Sequence, residues 1–287
     1  MGFLQKFIRQ WIINYRLKPT RQALKSSQNK VYQIKGPVLA YNQKMVDKRK
    51  HLKKTFDSLV DRLHKHTKSR DEFIYLTLIY FSSIGRYMVK KAPDWLNNWG
   101  LEFEKLGYSD IAENYIEHAK EEMGHDKWHK MDVQNLIKIY NEKFNRSLNV
   151  DNILNEGNRN CVKTYTTLSE QVTGGKNCYL SLAELYETEI MAMDLAPNFI
   201  AYCVKEVGFD VLKGLKFLNG HVVADVEHIE DNIVQMDRFL KSNPDKVDDL
   251  VTIGNSTIDI YIDYFTDALD LAEETLNSQK IKSNKSA

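Results

Sequence analysis

Cysteine, proline and glycine are all scarce, at three, five and thirteen of 287 residues. The cysteines, Cys161, Cys178 and Cys203, are odd in number and have no CxxC spacing. That excludes a disulfide framework and a thiolate zinc site, and it points to a reducing, cytoplasmic compartment. Sandwiches and barrels need many turns, so few Pro and Gly argue against an all-β fold and for long helices. Long apolar runs are also missing. The longest, 73–89, is interrupted by Ser82, Ser83, Gly85 and Arg86, short of the ~20 apolar residues that span a bilayer. Charges break the first apolar segment, so no secretory signal pattern is present. Lys6 stands where a myristoylation signal has Ser or Thr.

Charge is present but unevenly spread. The net charge is +1, yet residues 1–54 contain fourteen Lys and Arg against one acid, Asp47. Within that stretch Phe3, Phe7, Trp11 and Tyr15 recur at helical spacing beside Lys6, Arg9 and Arg16. This reads as a basic amphipathic arm, 1–46, that packs on the acidic remainder or, through residues 1–30, meets an anionic membrane surface. Peripheral membrane association of a cytoplasmic protein would follow from the second option. No nucleic-acid motif accompanies the charge, and a homodimer stays open.

Beyond the arm the periodicity is helical almost throughout: 46–66, 71–91, 93–106, one long helix 109–144, a polar loop 145–160, then 164–172, 176–195, 198–207, 209–240 and 245–276. The expectation is an all-α domain of about seven helices over 47–277, with a Lys- and Ser-rich tail, 278–287, that is disordered.

Five of the eight histidines fall in two short segments. His118, Glu122 and His125 form His-x3-Glu-x2-His; His221, Asp225 and His228 form His-x3-Asp-x2-His. On an α-helix, positions i, i+4 and i+7 share one face, so each triplet would project imidazole, carboxylate and imidazole along a stripe. Two such stripes facing each other would converge six ligands. A lone helical histidine is usually a surface or hydrogen-bonded residue, but matched triplets among apolar neighbours such as Leu215, Leu218 and Tyr115 would cost several kcal/mol to bury, roughly, unless a cation or hydrogen bonds satisfied them. A third helix should add a bridging carboxylate. Glu189 has Leu182, Leu185, Tyr186 and Met193 on its own face, which points it inward; Glu187 is the alternative, and Glu184 has more polar neighbours. Mixed imidazole and carboxylate ligands suit iron or manganese better than zinc, and Glu122-x2-His125 is the pair that di-iron bundles carry on core helices. Asp231 and Asn232, a turn past His228, either support these ligands or form a solvated face. Trp128, Tyr115, Tyr186 and Tyr202 are candidate pocket walls or plain core.

With Phe217-Leu218-Asn219-Gly220 before it, the second triplet resembles the His-x3-Asp-x2-His signature of haem-oxygenase-like di-iron oxidases and oxygenases. The Glu-Glu-Met-Gly-His run at 121–125 is similar to their first metal helix, and Glu189 matches the position of their third-helix Glu. The resemblance spans roughly residues 50–275. It implies a single seven-helix bundle related to haem oxygenase and thiaminase II. It also implies two Fe(II) per chain and O2 as co-substrate, with oxidation of a small acid, amine or acyl chain. Several members use a Glu with a His seven residues later, and Glu122 and His129 also have that spacing, so His118 and His129 are both candidate ligands. The rival readings are a metal-free thiaminase-like or quinone-cofactor-type enzyme and a non-catalytic metal-binding helical protein.

Overall fold

The computed structural model describes residues 34–67 and 69–285; for 222–227 and 280–285 it describes the helix but not the side chains. The N-terminal aromatic and basic segment therefore lies outside the described residues. Among these, every regular element is helical. Ten α-helices follow in order: α1 Val38–Lys65, α2 Arg70–Val89, α3 Ala92–Lys105, α4 Ser109–Glu121, α5 His125–Phe144, α6 Val150–Glu156, α7 Asn160–Val172, α8 Ser181–Val207, α9 Lys216–Ser242 and α10 Val247–Lys285.

The count exceeds the seven expected, for local reasons. The single helix read over 109–144 breaks at Gly124, whose φ of 95° is left-handed. The polar stretch 145–160 still forms a short helix, α6, capped by the Asn149 side chain on the Asn152 N–H and held by buried Ile153 and Leu154. In the other direction, Pro197 does not divide 176–207; it sits inside α8 and is itself buried. The first helix begins at Val38, not Val46, directly after Gly36-Pro37. Val38, Tyr41 and Met45 are fully buried, so residues 38–46 continue into the main domain. The last helix runs past Ser278 to Lys285, and Gln279 is hydrogen-bonded by Tyr140 of α5, contrary to the disorder expected of that tail.

Helix α2 organises the bundle. Every residue from Glu72 to Gly85 is buried, as expected of a helix that is apolar all round and enclosed by others. It packs on α5 and α10, while α8 packs on α9 and α10, and α10 also carries α1. No helix among the described residues is long and apolar enough to cross a membrane. Two close contacts fix how the site-bearing helices meet. At Gly85 of α2 a Cβ would come within 2.6 Å of the His129 ring, so only glycine lets α5 approach there. Asp132 of α5 accepts the backbone N–H groups of Lys216 at 2.8 Å and Phe217 at 2.9 Å. It thereby satisfies orphan donors at the start of α9 and sets that helix against α5. Burial pushes its carboxyl up to about 6, against the pull of these bonds.

Candidate metal centre

Three places in the fold bring the ligands together: the α4–α5 break, the middle of α8, and α9. The break matters most. Because the chain turns at Gly124, His118 lies in the last turn of α4, Glu122 is its C-cap, and His125 opens α5. The first triplet is thus not a stripe on one helix, as its spacing suggested.

Its residues divide between two groups. One ligand atom from each of His118, Glu189 and His228 lies within 4.8 Å of the others, and the same holds for Glu122, His125 and His221. In the first group His118 Nε2 and His228 Nδ1 are each 3.6 Å from Glu189 Oε1. In the second, His125 Nδ1 is 2.7 Å from Glu122 Oε2, and His221 Nε2 is 3.6 Å from Glu122 Oε1. The same Oε1 is 3.6 Å from His118 Nε2, so Glu122 joins the groups. Two ligands each ~2.1 Å from a shared ion lie about 3–4.2 Å apart, and the 3.6 Å separations fall in that window. The donor set therefore fits two divalent cations of the iron or manganese kind. Asp225 lies between His221 and His228 on α9, and its side chain is outside those described.

Supporting contacts orient these rings. His221 Nδ1 is 3.0 Å from the Phe217 carbonyl, which makes Nδ1 the donor and turns Nε2 toward Glu122. His228 Nε2 meets Glu121 at 2.8 Å, leaving Nδ1 on the Glu189 side. The Asn232 amide donates to Glu189 Oε2, and Asn232 is buried, so of the two residues past His228 it is Asn232 that supports a ligand. Burial opposes a charge on Glu122. Hydrogen bonds from His118, His125 and His221 outweigh it and hold the carboxyl well below the usual range. Burial, then His118, lowers the pKa of His228.

Residues that the sequence left as alternatives separate cleanly. Glu187 is bound by Arg49 and Tyr41 and takes no part in either group. His129 is buried and stacked on Phe217 at 3.7 Å; neither ring nitrogen has a hydrogen-bond partner among the described residues. Burial, followed by nearby His221 and His125, pushes its pKa well down. It is a neutral imidazole in the cavity wall, one turn from His125.

That cavity, ≈ 140 Å³, opens on His118, Glu122, Glu189 and His221 and is otherwise mostly apolar, with Met88, Leu96 and Phe199 among its walls. Its aromatic lining is not the one expected. Trp95, Trp99, Tyr165 and Tyr261 line it. Tyr115 instead bonds Ser181, Tyr186 bonds Asn42, Tyr202 packs on His64, and Trp128 packs on His125 and Gly220. Sequence reasoning also missed Glu184. Polar neighbours along its own helix suggested exposure, but it is fully buried, and the Ser169 hydroxyl of α7 donates to it. Only the polar residue Ser169 in the buried stripe of α7 hinted at this.

No family model matches the chain, and neither does any curated protein or any solved structure.

Proposed function

We propose that this protein is a non-haem di-iron oxidase or oxygenase of the haem-oxygenase-like type, with the ten helices of the described residues elaborating a seven-helix core. One observation carries the reading: two groups of imidazole and carboxylate ligand atoms, joined through Glu122, meet at the wall of an apolar cavity. Storage or structural ions need no such cavity, whereas an oxidant must be kept from water beside its substrate.

Glu122 and Glu189, with Asp225 expected beside them, offset the charge of two ferrous ions, and His118, His125, His221 and His228 supply neutral donors. When bound, the irons would provide the electrons for reducing O2. The chain itself fixes the ligands through Phe217, Glu121 and Asn232. It keeps Glu122 ionised and lines the approach with apolar side chains that exclude water. The substrate is a small, largely apolar organic molecule. A cytoplasmic location, with residues 1–30 resting on an anionic membrane, belongs to the same reading.

Metal analysis of anaerobically purified protein should give about two irons per chain, with O2 consumed on exposure. His221→Ala and His228→Ala remove a ligand from different groups, so each should lose at least about half of the iron while helix content persists. Full iron in both variants overturns the assignment. Bound iron with no O2 consumption leaves the non-catalytic metal-binding reading.

A further inference from the structure

Glu184 lies on α8 five residues before Glu189, about 7.5 Å along the axis at 1.5 Å per residue, and both line the same cavity. It is fully buried. Oε1 accepts a hydrogen bond from the Ser169 hydroxyl, while Oε2 has no hydrogen-bond partner among the described residues. Burial raises its pKa to about 8, and the only influence in the other direction is Ser169, with no basic side chain contributing. A buried carboxyl oxygen left without a partner costs ~1–3 kcal/mol. One helical turn away, the same helix shows how the fold satisfies a buried acid it keeps for itself: Arg49 and Tyr41 cover Glu187. Nothing covers Glu184 in that way, and it faces space instead.

The surroundings are aromatic. Trp95 and Tyr165 meet at 5.7 Å, and Tyr165 and Tyr261 at 6.1 Å; Trp99 completes the lining. Aromatic rings around a carboxyl favour a cation over a neutral polar group. The remaining wall is apolar, which suits a hydrocarbon chain between this end and the histidine cluster.

We propose that the Glu184 end of the cavity is a subsite for the nitrogen of an alkyl- or arylalkylamine, bound as ammonium against the Glu184 carboxylate among Trp95, Trp99, Tyr165 and Tyr261. The proton balance is simple. An amine arriving as free base takes the Glu184 proton; one arriving as ammonium displaces that proton to solvent. Either way one ammonium faces one carboxylate. Amine binding stands on Glu184 alone, whereas oxidation of that amine rests on the oxidase reading above.

The test titrates the full chain, metal-loaded and metal-free, with n-octylamine and with n-octanol, and follows the fluorescence of the cavity tryptophans. Octylamine should bind about ten-fold or more tighter than octanol in both forms. Glu184→Gln, which keeps the shape and can still accept from Ser169, should weaken octylamine about ten-fold and leave octanol within about two-fold. Equal affinity for the two ligands in the wild type overturns the proposal, as does a folded Glu184→Gln protein with undiminished octylamine binding. Should that variant not fold, the wild-type comparison decides. Iron analysis of the same samples separates the two readings: amine preference without iron retains the subsite and removes the oxidase, and iron without amine preference does the reverse.

Discussion

Glu187 and Glu189 stand two residues apart on α8, both buried, and the fold treats them in opposite ways. Arg49 donates to Glu187 through Nε at 2.9 Å and through its Nη2, Tyr41 donates at 2.7 Å, and Asn42 accepts from the same guanidinium at 2.8 Å. That cluster is closed: a permanent cation neutralises the acid, and neighbouring side chains use up the remaining donors. Around Glu189 and Glu122 the partners are imidazoles and an asparagine amide. An imidazole nitrogen can either donate a proton or offer a lone pair, so these partners, unlike an arginine, can also ligate a cation. The acid of the closed cluster is supplied with arginine; the acids of the two candidate ligand groups are supplied with histidine. The contrast within one helix distinguishes a ligand cluster from an internal salt bridge better than burial does, since burial is common to both.

The largest expected effect breaks the closed cluster. Arg49→Met leaves Glu187 buried without its cation, and removing one partner of a buried pair costs about 3–5 kcal/mol. Urea unfolding of metal-free protein should show that loss, while iron bound per folded chain stays at the wild-type level. Adding Glu187→Leu should recover most of it, because an apolar pair of similar volume replaces an ion pair at little net cost. If Arg49→Met instead depletes iron, the two acids are not independent and the comparison fails.

A smaller effect concerns the remaining buried acid of α8. Glu184 has neither arginine nor histidine, and burial lifts its carboxyl from the ordinary 4.5 to about 8. Between those values the folded chain holds a proton that the unfolded chain has released. The contribution of this group to stability is therefore full below about pH 4.5, falls as pH rises through the window, and levels off above about 8. Relative to Glu184→Gln, which does not titrate, the wild type should lose on the order of 2–4 kcal/mol from pH 5 to pH 8. Unfolding free energies of both proteins at three pH values check this, and a constant gap would refute it.

What the sequence disclosed follows the same physical divisions. The His221 to His228 segment was legible because α9 runs unbroken through it, so spacing translates directly into a shared face. Glu189 was legible from the apolar stripe on its own helix. Glu187 was not separable from it, because its deciding partner, Arg49, lies 138 residues away and no local pattern carries that information. Glu184 was misjudged for the same reason. For the first triplet the spacing suggested the wrong geometry: a continuous helix was expected across Gly124, although a glycine between two polar stretches is where a helix can turn. The turn separates His118 from His125 and lets Glu122 stand between them.

The smallest predicted effect tests that turn. Gly124 has φ 95° and ψ 5°, and a Cβ there would meet only Lys127 Cδ, at 3.9 Å. Crowding is therefore absent, and Gly124→Ala is penalised through the backbone alone, by about 1–2 kcal/mol. A melting temperature lower by about 2–6 °C is expected. Asn tolerates the left-handed region better than Ala, so Gly124→Asn should fall by less. The alanine variant favours a continuous helix, and a continuous helix would return His118, Glu122 and His125 to a single stripe and pull His118 away from Glu189 and His228. Iron affinity should then drop in the order glycine, asparagine, alanine, in step with the left-handed preference and not with side-chain size. Should the alanine variant keep iron at the glycine level, the break serves only chain connectivity, and the division of ligands into two groups does not depend on it.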